Sequence, residues 1–401
     1  MERWIPGGVT APQGFVASGT WSGIKRNRRP DLALIVSRTP AAASGVFTTN
    51  RVKAAPVVLT QAHLRRGTAR AILVNSGCAN CLTGAAGMRD ARMLVRDAAQ
   101  LAGVSSAELL TASTGVIGRR LPVSRMRRAL PRLVGRLHAR GHREAAWAIL
   151  TTDTHPKEAA VAWTSGARTL RLGGMAKGAG MIEPHLATML AFFTTDAAIS
   201  RPLLTRALRL ACATSFNRIS VDGDMSTNDT VLILANGEAG NAIIRREGAA
   251  FRQFVRHLTA AAIELATQIV RDGEGATKLA TIHVMRARSV REAESCAYTV
   301  ANSPLVKTML AGGDWNFGRV AGAAGASGAH FDPGRLRISL NGHVAVSHGV
   351  HRQAGRAVLR TLAREERLII TVDLQAGRAA ARVWTCDLTE EYVRINARYT
   401  T

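Results

Sequence analysis

Lys177-Gly178-Ala179-Gly180-Met181-Ile182-Glu183-Pro184-His185-Leu186-Ala187-Thr188-Met189-Leu190-Ala191-Phe192-Phe193-Thr194-Thr195-Asp196 sets a threonine directly after a small residue, between a Gly/Pro-rich loop and an apolar run with strand character. A threonine hydroxyl is a weak nucleophile at neutral pH and needs a nearby base. A free α-amine, with a pKa near ~8, sits within reach of its own side chain. If the peptide between Ala187 and Thr188 is cut, one residue supplies both groups. The same stretch also reads as a loop entering a buried strand, and the local pattern leaves both readings open.

Outward from this stretch, β-like runs at 32–37, 71–74, 189–195, 230–234, 281–285 and 368–372 are interspersed with helical patterns at 88–101, 124–137, 202–215, 248–270 and 291–297. Such alternation predicts an α/β or α+β fold. Segment 168–185, with four glycines and Pro184, is the clearest breakpoint. The segments on either side, 1–187 and 188–401, are not expected to be independent domains. The strand at Met189 needs sheet neighbours from both.

The 401 residues are 47% hydrophobic, enough for a sizeable core and against wholesale disorder. Aromatics at 4% argue against a base-stacking nucleic-acid binder. The net charge of +25 is uneven, about +18 before Thr188 and about +7 from it onward. The densest basic block runs from Arg119 to Arg143. It is either a polyanion surface or the solvated face of an amphipathic helix, and Leu121, Met126, Leu130, Leu133 and Leu137 at near-helical spacing favour the helix. Five cysteines do not make a disulfide framework. Cys78 and Cys81 form a lone CxxC without a second pair or a nearby histidine. His348 and His351 read as surface residues. No signal peptide and no membrane span are expected, and the reading is of a cytoplasmic protein.

Several polar clusters are too Gly-rich for plain core. Thr111–Gly118 reads as a small-residue turn, either aiming donors at an oxyanion or tightly connecting strand to helix. Thr151–Lys157 either lines a polar pocket or caps a helix. The Ser220–Asp229 stretch lacks the twelfth-position glutamate and the ligand order of a calcium loop, so an EF-hand is rejected. Glu274, in an acidic Gly-rich turn, binds an ammonium, acts as acid or base, or caps a helix. The ending Asn396-Ala397-Arg398-Tyr399-Thr400-Thr401 is abrupt enough to be packed.

Taken with Gly45–Pro56, Val74-Asn75-Ser76-Gly77, Ser113-Thr114-Gly115-Val116-Ile117-Gly118 and Ala301–Thr308, these collinear segments resemble the ornithine acetyltransferase, or glutamate N-acetyltransferase, family of the cyclic arginine pathway. The resemblance implies a layered α/β fold, its sheets flanked by helices, similar to N-terminal-nucleophile hydrolases. It also implies self-cleavage into chains 1–187 and 188–401 that stay together as an α2β2 assembly. Carried over, Thr188 is the nucleophile, Ala187–Thr188 the cleaved bond, and Thr114 and Gly115 the oxyanion-hole pair. Thr154, Lys177, Thr188, Glu274, Asn396 and Thr401 fall on substrate-binding positions. The substrates implied are N2-acetylornithine and glutamate, handled by a ping-pong acetyl-enzyme without metal or organic cofactor. Acetyl-CoA as a second acetyl donor stays open.

The chain departs from the usual family pattern at His185, where asparagine is usual, at Phe317, where tryptophan is usual, and at Cys78 and Cys81 within the Asn-Ser-Gly segment. Two other readings compete. One is a related N-terminal-nucleophile aminopeptidase or amidase that passes the acyl group to water. The other is an uncleaved basic binding protein.

Overall fold

The apolar run that follows Thr188 lies in the middle of a nine-stranded sheet. The structure, a computed structural model, describes residues 3–183, 189–352 and 355–398. His185, Ala187, Thr188 and Thr401 lie outside the described residues. In chain order the strands are β1 (Arg3–Trp4), β2 (Phe15–Thr20), β3 (Leu32–Phe47), β4 (Thr68–Cys78), β5 (Leu109–Val116), β6 (Lys157–Ser165), β7 (Arg168–Lys177), β8 (Leu190–Thr195), β9 (Ile219–Ser220) and β10 (Thr230–Ala235). They continue as β11 (Leu279–Ala287), β12 (Arg337–Leu340), β13 (His343–Ser347), β14 (Val350–His351), β15 (Arg367–Asp373) and β16 (Ala379–Cys386). The helices are α1 (Ala55–Leu64), α2 (Gly84–Ala102), α3 (Val123–Gly135), α4 (His142–Ala148), α5 (Arg201–Ala213), α6 (Ala249–Arg271), α7 (Val290–Asn302), α8 (Pro304–Gly312), α9 (Phe317–Gly325), α10 (Arg356–Arg364) and α11 (Glu390–Ala397).

The first sheet has the order β1-β6-β7-β8-β10-β3-β4-β5, with β2 paired to β3. β8 runs antiparallel to β7 and parallel to β10, so Phe192 faces Met175 on one side and Leu232 on the other. All six residues of β8 are buried, because the sheet is covered on both faces. Phe193 joins a core built with α5 and α6, while Phe192 joins a second core under α4. Burial on both faces is why this run is continuously apolar instead of alternating. A further core packs α2 and α3 on β2, β3 and β4.

The second sheet, ordered β14-β13-β12-β15-β11-β16-β9, packs Ile282, Ile370 and Val383 against helices α7, α8 and α9. All residues come from the second half of the chain, as the order of elements requires. Among the described residues no helix is long and apolar enough to cross a membrane.

Two expectations are corrected. Most of the expected breakpoint at 168–185 is strand β7, and of its described residues only 178–183 leave the sheet. Its glycines serve close packing: a Cβ on Gly173 would lie 1.8 Å from the Gly8 carbonyl oxygen, and one on Gly174 would lie 2.8 Å from the Phe193 ring. Likewise Thr111–Val116 is the end of β5, and the turn comes only at Gly118, with φ +82°. The middle of the basic block, Val123–Gly135, forms α3, with Met126, Ala129, Leu130 and Leu133 buried.

Candidate functional site

Parallel pairing of β4 with β5 sets Gly77 beside Gly115 and Ser76 beside Thr114 at the end of the sheet. The backbones approach so closely that a Cβ on Gly115 would lie 2.3 Å from the Gly77 carbonyl carbon, and Gly115 has φ +125°. Glycine is therefore required there. Asn75 and Asn228 brace the strand ends. Ser113 Oγ donates to Asn75 Oδ1 (2.5 Å), and Asn228 Nδ2 donates to the carbonyls of Ala79 and Ser113 (both 2.8 Å).

These strand ends open onto a cavity of about 140 Å3. Thr114 and Gly115 form one wall, Ser226, Thr227 and Asn228 another, and Thr151 and Thr152 a third. Lys177, Glu274 and Asn396 complete it. Among the described lining residues Lys177 is the one cation and Glu274 the one anion. Asn396, on α11, donates to Glu274 Oε2 at 2.7 Å. A Cβ on Gly180 would lie 2.5 Å from the Glu274 carboxyl, so the glycine loop makes room for that carboxylate.

Behind the cavity lies a buried charge network. Lys157 Nζ donates to Asp153 Oδ1 (2.8 Å) and Asp272 Oδ2 (2.5 Å), and all three side chains are almost fully buried. Lys177 Nζ is 3.8 Å from Asp153 Oδ2, and the Gly178 N–H donates to Asp153 Oδ1 at 2.6 Å. Burial alone would raise the Asp153 carboxyl. Lys157, Lys177 and the N–H donors outweigh it and hold Asp153 well below the usual carboxylate range. Lys157 is consumed by two carboxylates, whereas Lys177 keeps donors for the cavity.

The start of β8 is tied to the same wall. Asp229, next to Asn228, accepts the Met189 N–H at 2.9 Å. It is fully buried, and its Oδ2 finds no hydrogen-bond partner among the described residues. Burial pushes its carboxyl well above the usual range, against the Met189 N–H, the nearby Lys177 charge and the neighbouring Ser226 hydroxyl. Asp222 holds the other flank, accepting from the N–H groups of Met181 (2.6 Å) and Ile182 (2.8 Å) and from the Tyr392 hydroxyl (3.2 Å). The acidic stretch rejected as a calcium loop thus fixes the chain on both sides of the expected cut. Among the described residues no group of three or more His, Cys, Asp or Glu is placed to hold a metal ion.

Of the residues expected at the site, Thr114, Gly115, Lys177, Glu274 and Asn396 come together. Ala187, Thr188 and Thr401 lie outside the described residues. Thr154 is not in this cavity. Its hydroxyl and its N–H both donate to Asp272, and it lines a separate open depression with His155. Asp153 turns inward to the two lysines, which leaves Thr151 and Thr152 on the cavity side and Thr154 beyond it. Sequence reasoning did not single out Asp153, Lys157, Asp229 or Asn228. Their signal was charged and amide residues inside otherwise apolar or small-residue runs. Cys78 and Cys81 are buried free thiols that donate to different carbonyls, of Arg119 and Val52, which does not support a redox pair. His348 and His351 are exposed.

The ArgJ family model matches residues 16–401. The chain is 48% identical over 401 residues to the arginine biosynthesis bifunctional protein ArgJ of Symbiobacterium thermophilum, covering 100% of both chains. To the protein of the same name from Geobacter sulfurreducens it is 46% identical over 390 residues, covering 97% of this chain and 99% of that one. Among solved structures, ornithine acetyltransferase complexed with ornithine from Mycobacterium tuberculosis is similar, with 42% identity and a TM-score of 0.43, over 46% of this chain and 98% of that one. With a family match across nearly its whole length and full-length relatives at this identity, the chain belongs to the ArgJ family.

Proposed function

We propose that this chain is a bifunctional acetyltransferase of arginine biosynthesis. It moves the acetyl group from N2-acetyl-L-ornithine to L-glutamate, and it also acetylates glutamate from acetyl-CoA. The observation that carries the reading is the cavity itself: one cation and one anion face a strand-end pair, Thr114 and Gly115, beside the anchored start of β8. An acylated amino acid with a carboxylate and a side-chain ammonium matches that charge pattern, with Lys177 taking the carboxylate and Glu274 the ammonium. The bifunctional relatives support the two-donor reading.

In the proposed maturation, the Thr188 hydroxyl attacks the Ala187 carbonyl, the Ala187–Thr188 C–N bond breaks as the nitrogen takes the proton, and water hydrolyses the resulting ester to a carboxylate on Ala187 and a free hydroxyl on Thr188. The two pieces stay associated as an α2β2 assembly. In the transfer, the freed α-amine of Thr188 takes the Oγ proton while Oγ bonds to the acetyl carbon. Thr114 and Gly115 stabilise the oxyanion, each donor worth about 3 kcal/mol. The C–N bond to ornithine breaks, and the proton leaves with the ornithine amine. Glutamate then enters, and its amine takes the acetyl group by the reverse steps. The basic field favours entry of anionic glutamate. Apart from water and the substrates, each step uses only groups of the chain itself, and the proposed location is the cytoplasm.

A denaturing gel with N-terminal sequencing tests the maturation, with two fragments expected and the second beginning Thr-Met-Leu-Ala-Phe. One intact band that nonetheless exchanges acetyl groups would refute the nucleophile. Incubation with acetylornithine and glutamate tests the reaction: acetylglutamate and ornithine are expected, and acetate as the only acetyl product would favour an amidase.

A further inference from the structure

The cavity of about 140 Å3 suits an acylated amino acid but not a whole nucleotide thioester. Acetyl-CoA as a donor would leave most of its mass outside, over the surface beside the strand-end pair. The loop between β2 and β3 reaches that end of the sheet, because β3 begins with Leu32 opposite Asn75 of β4. Ile24 and Lys25 of this loop pack on Gly77, where a Cβ would lie 2.9 Å from Ile24 Cγ2 and 3.4 Å from Lys25 Cγ. Buried Asp31 fixes the loop, accepting from Ser22 N–H (2.6 Å), Ser22 Oγ (2.7 Å), Ile24 N–H (2.8 Å) and Lys25 N–H (3.0 Å).

On its far side the loop forms an open groove of about 420 Å3 with α3, lined by Trp21, Ser22, Gly23, Arg125, Arg128 and Arg132. Among the described residues no carboxylate lines it. Arg125 donates to the Gly23 carbonyl (3.2 Å) and Arg132 to the Trp21 carbonyl (2.5 Å), which leaves other guanidinium N–H groups of each unused. Arg128 makes no hydrogen bond or ion pair among the described residues.

The contrast with the other side of α3 is informative. There Arg127 pairs with Asp97 at 2.5 Å, and just before the helix Arg120 pairs with Asp90 at 2.8 Å. Arg125, Arg128 and Arg132, by contrast, fall on one helical stripe at i, i+3 and i+7. Like charges so placed repel, a cost that a bound polyanion removes. Arginine forks match phosphate oxygens, and an indole offers a stacking face for a base. From Gly23 to Gly115 the path is one Cα step, one side-chain contact and one strand spacing, on the order of 15 Å. An extended pantetheine arm spans that.

We propose that this groove binds the phosphorylated nucleotide end of a CoA thioester, with the pantetheine arm passing Lys25 to bring the thioester to the cavity. This rests on the reading of acetyl-CoA as second donor. The test is steady-state kinetics of wild type, Arg128→Ala and Arg125→Ala on three donors: acetyl-CoA, acetyl-pantetheine and acetylornithine. For acetyl-CoA each variant should raise KM about tenfold, the loss of one phosphate contact. The KM for acetyl-pantetheine, which lacks the nucleotide, and the acetylornithine exchange should not change. Unchanged KM for acetyl-CoA in both variants overturns the site and leaves the two-donor reading standing. Equal losses on all three donors also overturn it, by showing a structural effect. A wild type that exchanges acetylornithine but ignores acetyl-CoA overturns the donor reading, and the site with it.

Discussion

The Asp229 carboxylate accepts the backbone N–H of Met189 at 2.9 Å with one oxygen and keeps the other buried without a partner among the described residues. Its carboxyl stands above its unfolded value. For an acid shifted this way the folded state is favoured most at low pH and loses stability as pH rises from about 4 towards the folded pKa. Asp229→Asn keeps an acceptor for Met189 and cannot ionise. It should raise the melting temperature at about pH 8 and leave it unchanged at about pH 3, where the wild-type carboxyl is protonated in both states. Thermal melts across that range check this, and a variant less stable at pH 8 would contradict it.

Lys157 and Lys177 share Asp153 but should fail differently. Lys157→Met strands two buried carboxylates and should cost about 3–5 kcal/mol of stability. Lys177→Met leaves Asp153 its closer lysine and removes the one cation among the described lining residues of the cavity. Its loss should appear as a fall in kcat/KM of roughly a hundredfold with a smaller loss of stability. Denaturant titration and exchange kinetics on both variants separate the two.

Gly115→Ala should be inactive by at least ~10²-fold, the usual cost of losing one oxyanion donor. The added methyl would lie 2.3 Å from backbone at Gly77, so the strand ends must part. Kinetics after confirming a folded protein by circular dichroism provide the check.

Thr154→Val should leave the KM for acetylornithine unchanged, because that hydroxyl is bonded to Asp272 outside the cavity. Thr151→Val, on the cavity wall, should change it severalfold, about 1 kcal/mol for one neutral hydrogen bond. The reverse order would restore Thr154 to the site.

All five cysteines are buried and free. Burial pushes the Cys212 thiol up to about 12 and Cys296 up to about 11. The native protein should therefore react with little or no Ellman's reagent at about pH 8 and release the equivalent of five thiols once unfolded.

The strands around Thr188 were legible because apolar runs such as Ala71–Val74 and Thr230–Leu234 are buried on both faces and so read without ambiguity. β7 was not, because Gly173 and Gly174 signal a turn locally, and only the approach of Gly8 and the Phe193 ring makes them strand residues. That Thr114, Gly115, Lys177, Glu274 and Asn396 line one cavity was expected through the resemblance, which transfers positions and not contacts. Thr154, carried over with them, sits outside the cavity in the fold: neighbouring hydroxyls in one short loop look alike in sequence, and only the inward turn of Asp153 decides which face the cavity. Asp229 and Asp222 were missed as anchors because a carboxylate that accepts backbone N–H groups leaves no periodicity to read.

The order of the first sheet has one more consequence. β8 and β10 sit between β7 and β3, so the segment before residue 188 supplies both flanks and the segment after it supplies the centre. Alone, the first segment would present two unsatisfied edges facing a gap two strands wide, and the second would present two strands with no flanks. Each segment therefore needs the other's strands to complete this sheet. Making both as one polypeptide enforces one-to-one stoichiometry, and a break beside β8 would leave the halves interlocked through pairing laid down before it occurred.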